Sequence, residues 1–269
     1  MIYSKVIVSV GIAVICLFGT KGLSQISSPG MGDAKTASWF ALGLKQDFGR
    51  EKKWESVSYI GLGRKSNPDE YNLVHKPSIF VINQEFFHQF HNRWQYSLGF
   101  SYRKQHEYTS TYPYVHKNPE FRQELRSYGR IRYSLGNDPV KATFQFREEF
   151  RKFYGPRFRS FSEDLQFRSR LRMQLTWSIN STKTHRLIAS AEALFSISKK
   201  HAPEQWTTFA YRESRFSLYY SLHPSSVPIT FNIGYMNNLL GNHSPHSVHY
   251  LAFDIIFTNV FSSQKVKSQ

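Results

Sequence analysis

Between Glu120 and Trp177 the chain alternates, residue by residue, between two unlike kinds of side chain through three successive segments. The first carries Arg122, Glu124, Arg126, Arg130 and Arg132 on one parity and Phe121, Leu125, Ile131, Tyr133 and Leu135 on the other. The second sets Thr143, Gln145, Arg147, Glu149 and Arg151 against Ala142, Phe144, Phe146 and Phe150. The third sets Gln166, Arg168, Arg170, Arg172 and Gln174 against Leu165, Phe167, Leu171, Met173, Leu175 and Trp177. A period of two is the signature of a β-strand with two different faces. Strands this long, with this much arginine on one face and this much phenylalanine and leucine on the other, suit a wall between lipid and an enclosed interior. An arginine facing lipid near mid-bilayer costs roughly 2–4 kcal/mol, so four on the first segment alone would cost on the order of 10 kcal/mol. The apolar parity is therefore expected outward and the charged parity inward.

The whole chain fits one all-β unit, an antiparallel up-and-down transmembrane β-barrel with an Arg/Glu-rich lumen. Strands are expected over 36–48, 54–65, 77–90, 94–103, the three segments above, 184–197, 206–222, 228–238 and 248–261. That is eleven, whereas bacterial single-chain barrels have even numbers. The expected total is therefore twelve, within a range of ten to twelve. Short connections (49–53, 91–93, 136–139, 179–183 and 223–228) alternate with mostly longer ones, as periplasmic turns and outside loops do. Trp54, Trp94 and Trp177 lie beside short turns, where an interfacial aromatic girdle would sit. A three-residue turn at His91–Arg93 would set Phe86 opposite Leu98 and Phe90 opposite Trp94. A two-residue turn at Asn137-Asp138 would set Arg126 opposite Glu149 and Glu124 opposite Arg151, pairing opposite charges across the ladder. Gly61 and Gly63 mark a bend or a close contact in the second strand.

The first residues, 1–24, read as a secretory signal: Lys5, an apolar stretch from Val6 to Phe18, then Gly22-Leu23-Ser24 at the cleavage positions. An uncleaved anchor is the alternative, although the apolar run is short for a membrane span. Residues 25–35 read as a flexible lead-in, 36–261 as the barrel and 262–269 as a loose tail. The expected location is the outer membrane of a Gram-negative bacterium, with outer-membrane lipid as the surrounding partner.

Net charge is +16, from 35 Lys and Arg against 19 Asp and Glu. That balance raises nucleic acid as a partner. The basic residues lie in period-two stripes rather than on a helix or in a tail, which speaks against it. The interior candidates are Arg122, Glu124, Arg126, Arg130, Arg132, Arg147, Glu149, Arg151, Arg168, Arg170, Arg172, Glu192, Glu213 and Arg215. They could form a basic constriction favouring small anionic solutes, or an ion-pair network that fills the lumen. The expected function is a narrow channel or a structural envelope protein. A lipid-modifying enzyme would need a serine and histidine together at the barrel edge. His88, His185 and Ser190 are available, but no spacing singles them out, and no catalytic residue is assigned. A third reading, a soluble barrel around an apolar ligand, predicts the apolar parity inside. His243, His246 and His249 have a spacing that could suit a metal, but read as a polar loop. No metal ligand or cofactor is expected.

Several short motifs lie along the chain: Ser38-Trp39, Glu120 to Leu125, Arg130-Ile131-Arg132, Phe146 to Arg151, Phe167 to Arg172, Ala191 to Phe195, Tyr211 to Tyr219 and His249 to Phe257. Through them the chain resembles a known family, domain of unknown function 2490, described as outer-membrane β-barrels of Gram-negative bacteria. At Glu213 the chain departs from the asparagine the family often shows before its arginine. The resemblance implies an outer-membrane barrel and no activity, since none is established for the family.

Overall fold

The computed structural model describes residues 26, 28–49, 51–241 and 245–261. The expected signal segment and tail lie outside them. Twelve strands form, in order β1 (Thr36–Phe48), β2 (Trp54–Lys65), β3 (Lys76–His91), β4 (Trp94–Tyr108), β5 (His116–Asn137) and β6 (Val140–Tyr154), then β7 (Glu163–Ser178), β8 (His185–Lys200), β9 (Gln205–Trp206), β10 (Ala210–Leu222), β11 (Ile229–Leu240) and β12 (His246–Thr258). The segment expected as one strand over 206–222 is broken. Its start, β9, pairs only with Lys199 and Lys200 at the tip of β8, and β10 then docks along β8 through a bulge between Tyr211 and Glu213. The wall is thus eleven strands, closed by β10 on β8 and by β1 on β12.

Closure corrects the expectation of twelve wall strands. In a wall of consecutive hairpins, an odd number makes the first and last strands run the same way, and β1 pairs with β12 in parallel from Thr36↔His249 to Lys45↔Thr258. Every other neighbouring wall pair is antiparallel. The shortest wall strands, β2 and β11, have 12 residues, enough for a tilted crossing, which takes about 9–11.

The outward face is apolar. Phe40, Leu42, Leu62, Leu98, Phe100, Phe146, Leu171, Phe216, Leu218 and Leu251 are all exposed. Inside lie two different sectors. Along β5 to β7 the inward residues are mostly charged or polar, and on β8 Arg186 and Glu192 alternate with serines, Ile188 and Leu194. Along β12, β1 and β2 many are small or aromatic, namely Ala37, Trp39, Ala41, Gly61, Gly63, Tyr250 and Ala252, although Lys45, Glu55, Lys65 and Asp254 are buried on the same strands. A Cβ on Gly61 would lie 2.1 Å from the Trp39 ring, and one on Gly63 would lie 2.3 Å from the Met31 methyl. The two glycines are thus places where interior groups press against the wall.

Met31 belongs to the segment expected as a flexible lead-in, and the structure corrects that expectation over its described residues. Ile26, Ser28, Met31 and Ala34 are buried inside the barrel. Ile26 packs against Gly43 and Met31 against Gly63. Interior donors hold the segment's backbone: Arg103 gives a hydrogen bond to the Gly30 carbonyl (2.6 Å), and Lys65 gives one each to those of Met31 and Asp33 (both 3.1 Å). The Met31 N–H donates to the Tyr250 hydroxyl (2.9 Å). A buried irregular segment must satisfy its polar backbone, and the inward-facing cations and tyrosine make that feasible here.

Candidate functional site

The lumen collects the charged parity. All fourteen interior candidates lie within the wall: Glu124, Arg147, Glu149, Arg151, Arg170, Glu192, Glu213 and Arg215 are buried, and Arg122, Arg126, Arg130, Arg132, Arg168 and Arg172 are half-buried.

Their pairing differs from the sequence expectation in an instructive way. The loop between β5 and β6 is Asp138-Pro139, with Asn137 opposite Val140, one residue further on than expected. The register therefore shifts by two, which keeps every side chain on its face. It sets Arg126 directly opposite Arg151 and Arg130 opposite Arg147, and β7 then places Arg170 opposite Arg147. Like charges facing each other across a ladder repel. The carboxylates resolve this by reaching diagonally. Glu124 takes Arg126 (2.7 Å) and Arg151 (2.7 Å). Glu149, with no exposed side-chain surface, takes Arg147 (2.8 Å), Arg170 (2.9 Å) and Arg126 (3.5 Å). Glu192 takes Arg170 (2.7 Å), and Glu213 takes Arg215 (2.5 Å) and accepts from Asn238 (2.9 Å). The contacts Arg126–Glu149 and Glu124–Arg151 thus form, but diagonally rather than face to face. At the β3–β4 turn Phe86 does face Leu98, while a bulge between Gln89 and His91 removes Phe90 from its expected partner Trp94.

Further groups extend the lattice. Glu85 accepts from Ser97 (2.5 Å) and Tyr128 (3.0 Å) and pairs with Arg130 (3.2 Å). The Arg147 guanidinium sits 3.6 Å from the centre of the Tyr128 ring, a cation–π contact. The sequence signal for Glu85 was its inward parity. The roles of Arg103, Lys65 and Tyr128 had no local signal, because each depends on a segment or strand far away in the chain.

Between this lattice and residues 26 and 28–30 lies a cavity of about 70 Å3, bordered by Gly30, Arg103, Arg126, Arg147 and Arg170. A larger cavity, about 300 Å3, lies at the short-turn mouth. It is bordered by residues of four short connections, among them Lys52, Arg93, Asp138 and Lys183, and by the lower interior, including Arg132, Arg172 and Arg186. Asp138 accepts a hydrogen bond from Lys183, which holds its carboxyl below the usual carboxylate range.

The other candidates do not converge. His185 Nδ1 contacts the Tyr220 hydroxyl (2.5 Å), and Ser190 contacts Ser217 (2.7 Å). His88 stacks beside Trp54 with ring centres 4.2 Å apart. His246 Nε2 lies 3.2 Å from Asp33 Oδ1, while His249 Nδ1 lies 2.7 Å from the Tyr235 hydroxyl; His243 is outside the described residues. Among the described residues no group of three or more His, Cys, Asp or Glu side chains is arranged to hold a metal.

A family model described as protein of unknown function (DUF2490) matches residues 36–249 of the chain, which is the wall from the start of β1 into β12. No curated protein matches it.

Proposed function

The chain belongs to the DUF2490 family, and from that premise we propose that it is an outer-membrane β-barrel whose lumen is closed at mid-depth, a structural envelope barrel rather than a standing pore. One observation carries the closed reading: the cavity between the Arg/Glu lattice and residues 26 and 28–30 has a volume of about 70 Å3. Barrels of this strand number can fill their interior with side chains, and here a length of backbone is added to them. Support for the membrane setting comes from the outward belt of phenylalanine and leucine and from the tryptophans. Trp54, Trp94 and Trp177 lie at the short-turn end and Trp206 at the other, each exposed, as two interfacial girdles require. A soluble barrel around an apolar ligand would need that belt turned inward.

Two measurements test the reading. In planar bilayers the intact protein is expected to give no single-channel steps at any salt concentration, and regular steps would overturn the closed lumen. In vesicles of brominated lipid, the four exposed tryptophans are expected to be quenched, while Trp39, 2 % exposed and inside, is not. Replacing Trp39 by Phe should therefore remove the unquenched emission; emission quenched to the same degree with and without Trp39 would overturn the orientation of the wall.

A further inference from the structure

The cavity at the short-turn mouth differs from the lattice above it in its charge balance. Nine Lys and Arg side chains border it against three carboxylates, Glu51, Glu55 and Asp138. These three are already engaged: Glu51 by Lys53, Glu55 by Lys45 (2.6 Å) and Asp138 by Lys183. Lys45 is not among the residues bordering the cavity, so Glu55 spends its charge elsewhere. From outside the lining, Glu85 pairs with Arg130 (3.2 Å), and Glu192 lies opposite Arg172 across the β7–β8 ladder. The residues bordering this cavity of about 300 Å3 thus include six more basic than acidic side chains.

Two of the cations show what the excess lacks. The Arg132 guanidinium donates to Gln95 Oε1 (2.9 Å), a neutral acceptor. The buried Arg186 Nε–H has no protein acceptor. In the lattice, by contrast, Arg126, Arg147, Arg151, Arg170 and Arg215 each pair with a carboxylate. Hydroxyl and amide groups of Thr143, Gln145, Gln174 and Thr176 border the same space. They can accept or donate as an occupant requires. Guanidinium forks match phosphate oxygens two at a time, and a cavity of this size lies at the small end of ligand sites.

The geometry points to a binding site for a small, multiply charged phosphate-bearing anion in the short-turn vestibule, with Arg132 and Arg186 among its principal donors. The site rests on the barrel reading above, in which this mouth faces the compartment of the short turns. The anion enters from water along the barrel axis and stops at the lattice, so binding requires no conduction.

Calorimetric titration of the detergent-solubilised full chain with inorganic pyrophosphate at low salt tests it. Saturable binding that weakens as salt is added is expected. Arg132→Gln and Arg186→Gln should each weaken it about tenfold, the loss of one charge-assisted contact. Lys52→Gln, in an exposed turn whose replacement leaves the wall intact, should weaken it by a smaller factor. Arg159→Gln, exposed at the opposite mouth, should leave it unchanged. No saturable binding, or an equal loss in Arg159→Gln and Arg132→Gln, overturns the site. Repeating the titration in phosphatidylcholine nanodiscs should give the same affinity. If added anionic phospholipid abolishes pyrophosphate binding, the pocket takes a lipid headgroup and the solute proposal falls. Absent binding would leave the closed-lumen reading standing, and channel steps would leave the binding result standing, so the two can fail separately.

Discussion

The two arcs of the barrel interior solve the same packing problem by opposite means. Along β5, β6 and β7, joined by Glu192 of β8, the space is filled by long charged side chains that neutralise one another, with Glu149 touching three arginines. Along β12, β1 and β2 several wall positions are alanine or glycine, and the space they leave is taken by Ile26, Met31 and Ala34, with Trp39, Tyr219 and Tyr250 around them. The first arc gets its cohesion from charge pairs that are costly to break singly. The second gets it from apolar contact and from wall positions without a side chain. A narrow barrel can therefore be closed by its own wall on one side and by a guest from its own sequence on the other.

Substitutions should separate the two mechanisms, and the largest effect is expected in the charged arc. Glu149→Ala leaves three guanidinium groups facing one another and should cost about 3–5 kcal/mol, read as a lower midpoint of urea unfolding in micelles. A cost under a third of that would mean the lattice is held by something other than its ion pairs. In the apolar arc, Met31→Ala removes a fully buried side chain and should cost about 2–3 kcal/mol. If urea midpoints are unchanged, residues 26–34 do not stabilise the barrel and the contrast collapses. Gly61→Ala should cost about 1–3 kcal/mol by overpacking against Trp39, and the same change in a Trp39→Leu background should cost measurably less. The smallest effect belongs to Ser28→Ala, which loses a 3.3 Å contact with the Tyr219 hydroxyl. About 0.5–1 kcal/mol is expected, detectable as a small midpoint shift, and a larger loss would show that the segment depends on hydrogen bonds more than on packing.

The charged arc was legible in the sequence and the apolar arc was not, for a physical reason. Arg122 to Gln174 alternate because every wall residue meets one of two unlike media, and that contrast is written locally. Parity fixes the face of a side chain but is blind to even slips. The β5–β6 register was therefore missed by two residues while every residue kept its face. On β1 and β2, the small residues Ala37, Ala41, Gly61 and Gly63 announce a space without naming its occupant. Residues 25–35 are polar, with glycine and proline, and carry the local marks of a loop. The burial of Ile26, Ser28, Met31 and Ala34 comes from barrel closure, which joins Met31 to Tyr250 across the chain. The eleven segments counted from alternation also match the wall. An expected even number displaced that count, because the parallel partner of β1 leaves no mark in either strand.

The β1–β12 seam has a consequence for how the molecule is built. Every other junction in the wall joins neighbours in sequence, whereas this one brings together residues such as Ala41 and Asp254, the widest separation in the ring and the most expensive in chain entropy. Once it is made, the enclosure has no side door. Because Ile26 rests against Gly43 on the inner surface of that same seam, the strands that close the ring also carry part of the surface on which the interior segment sits.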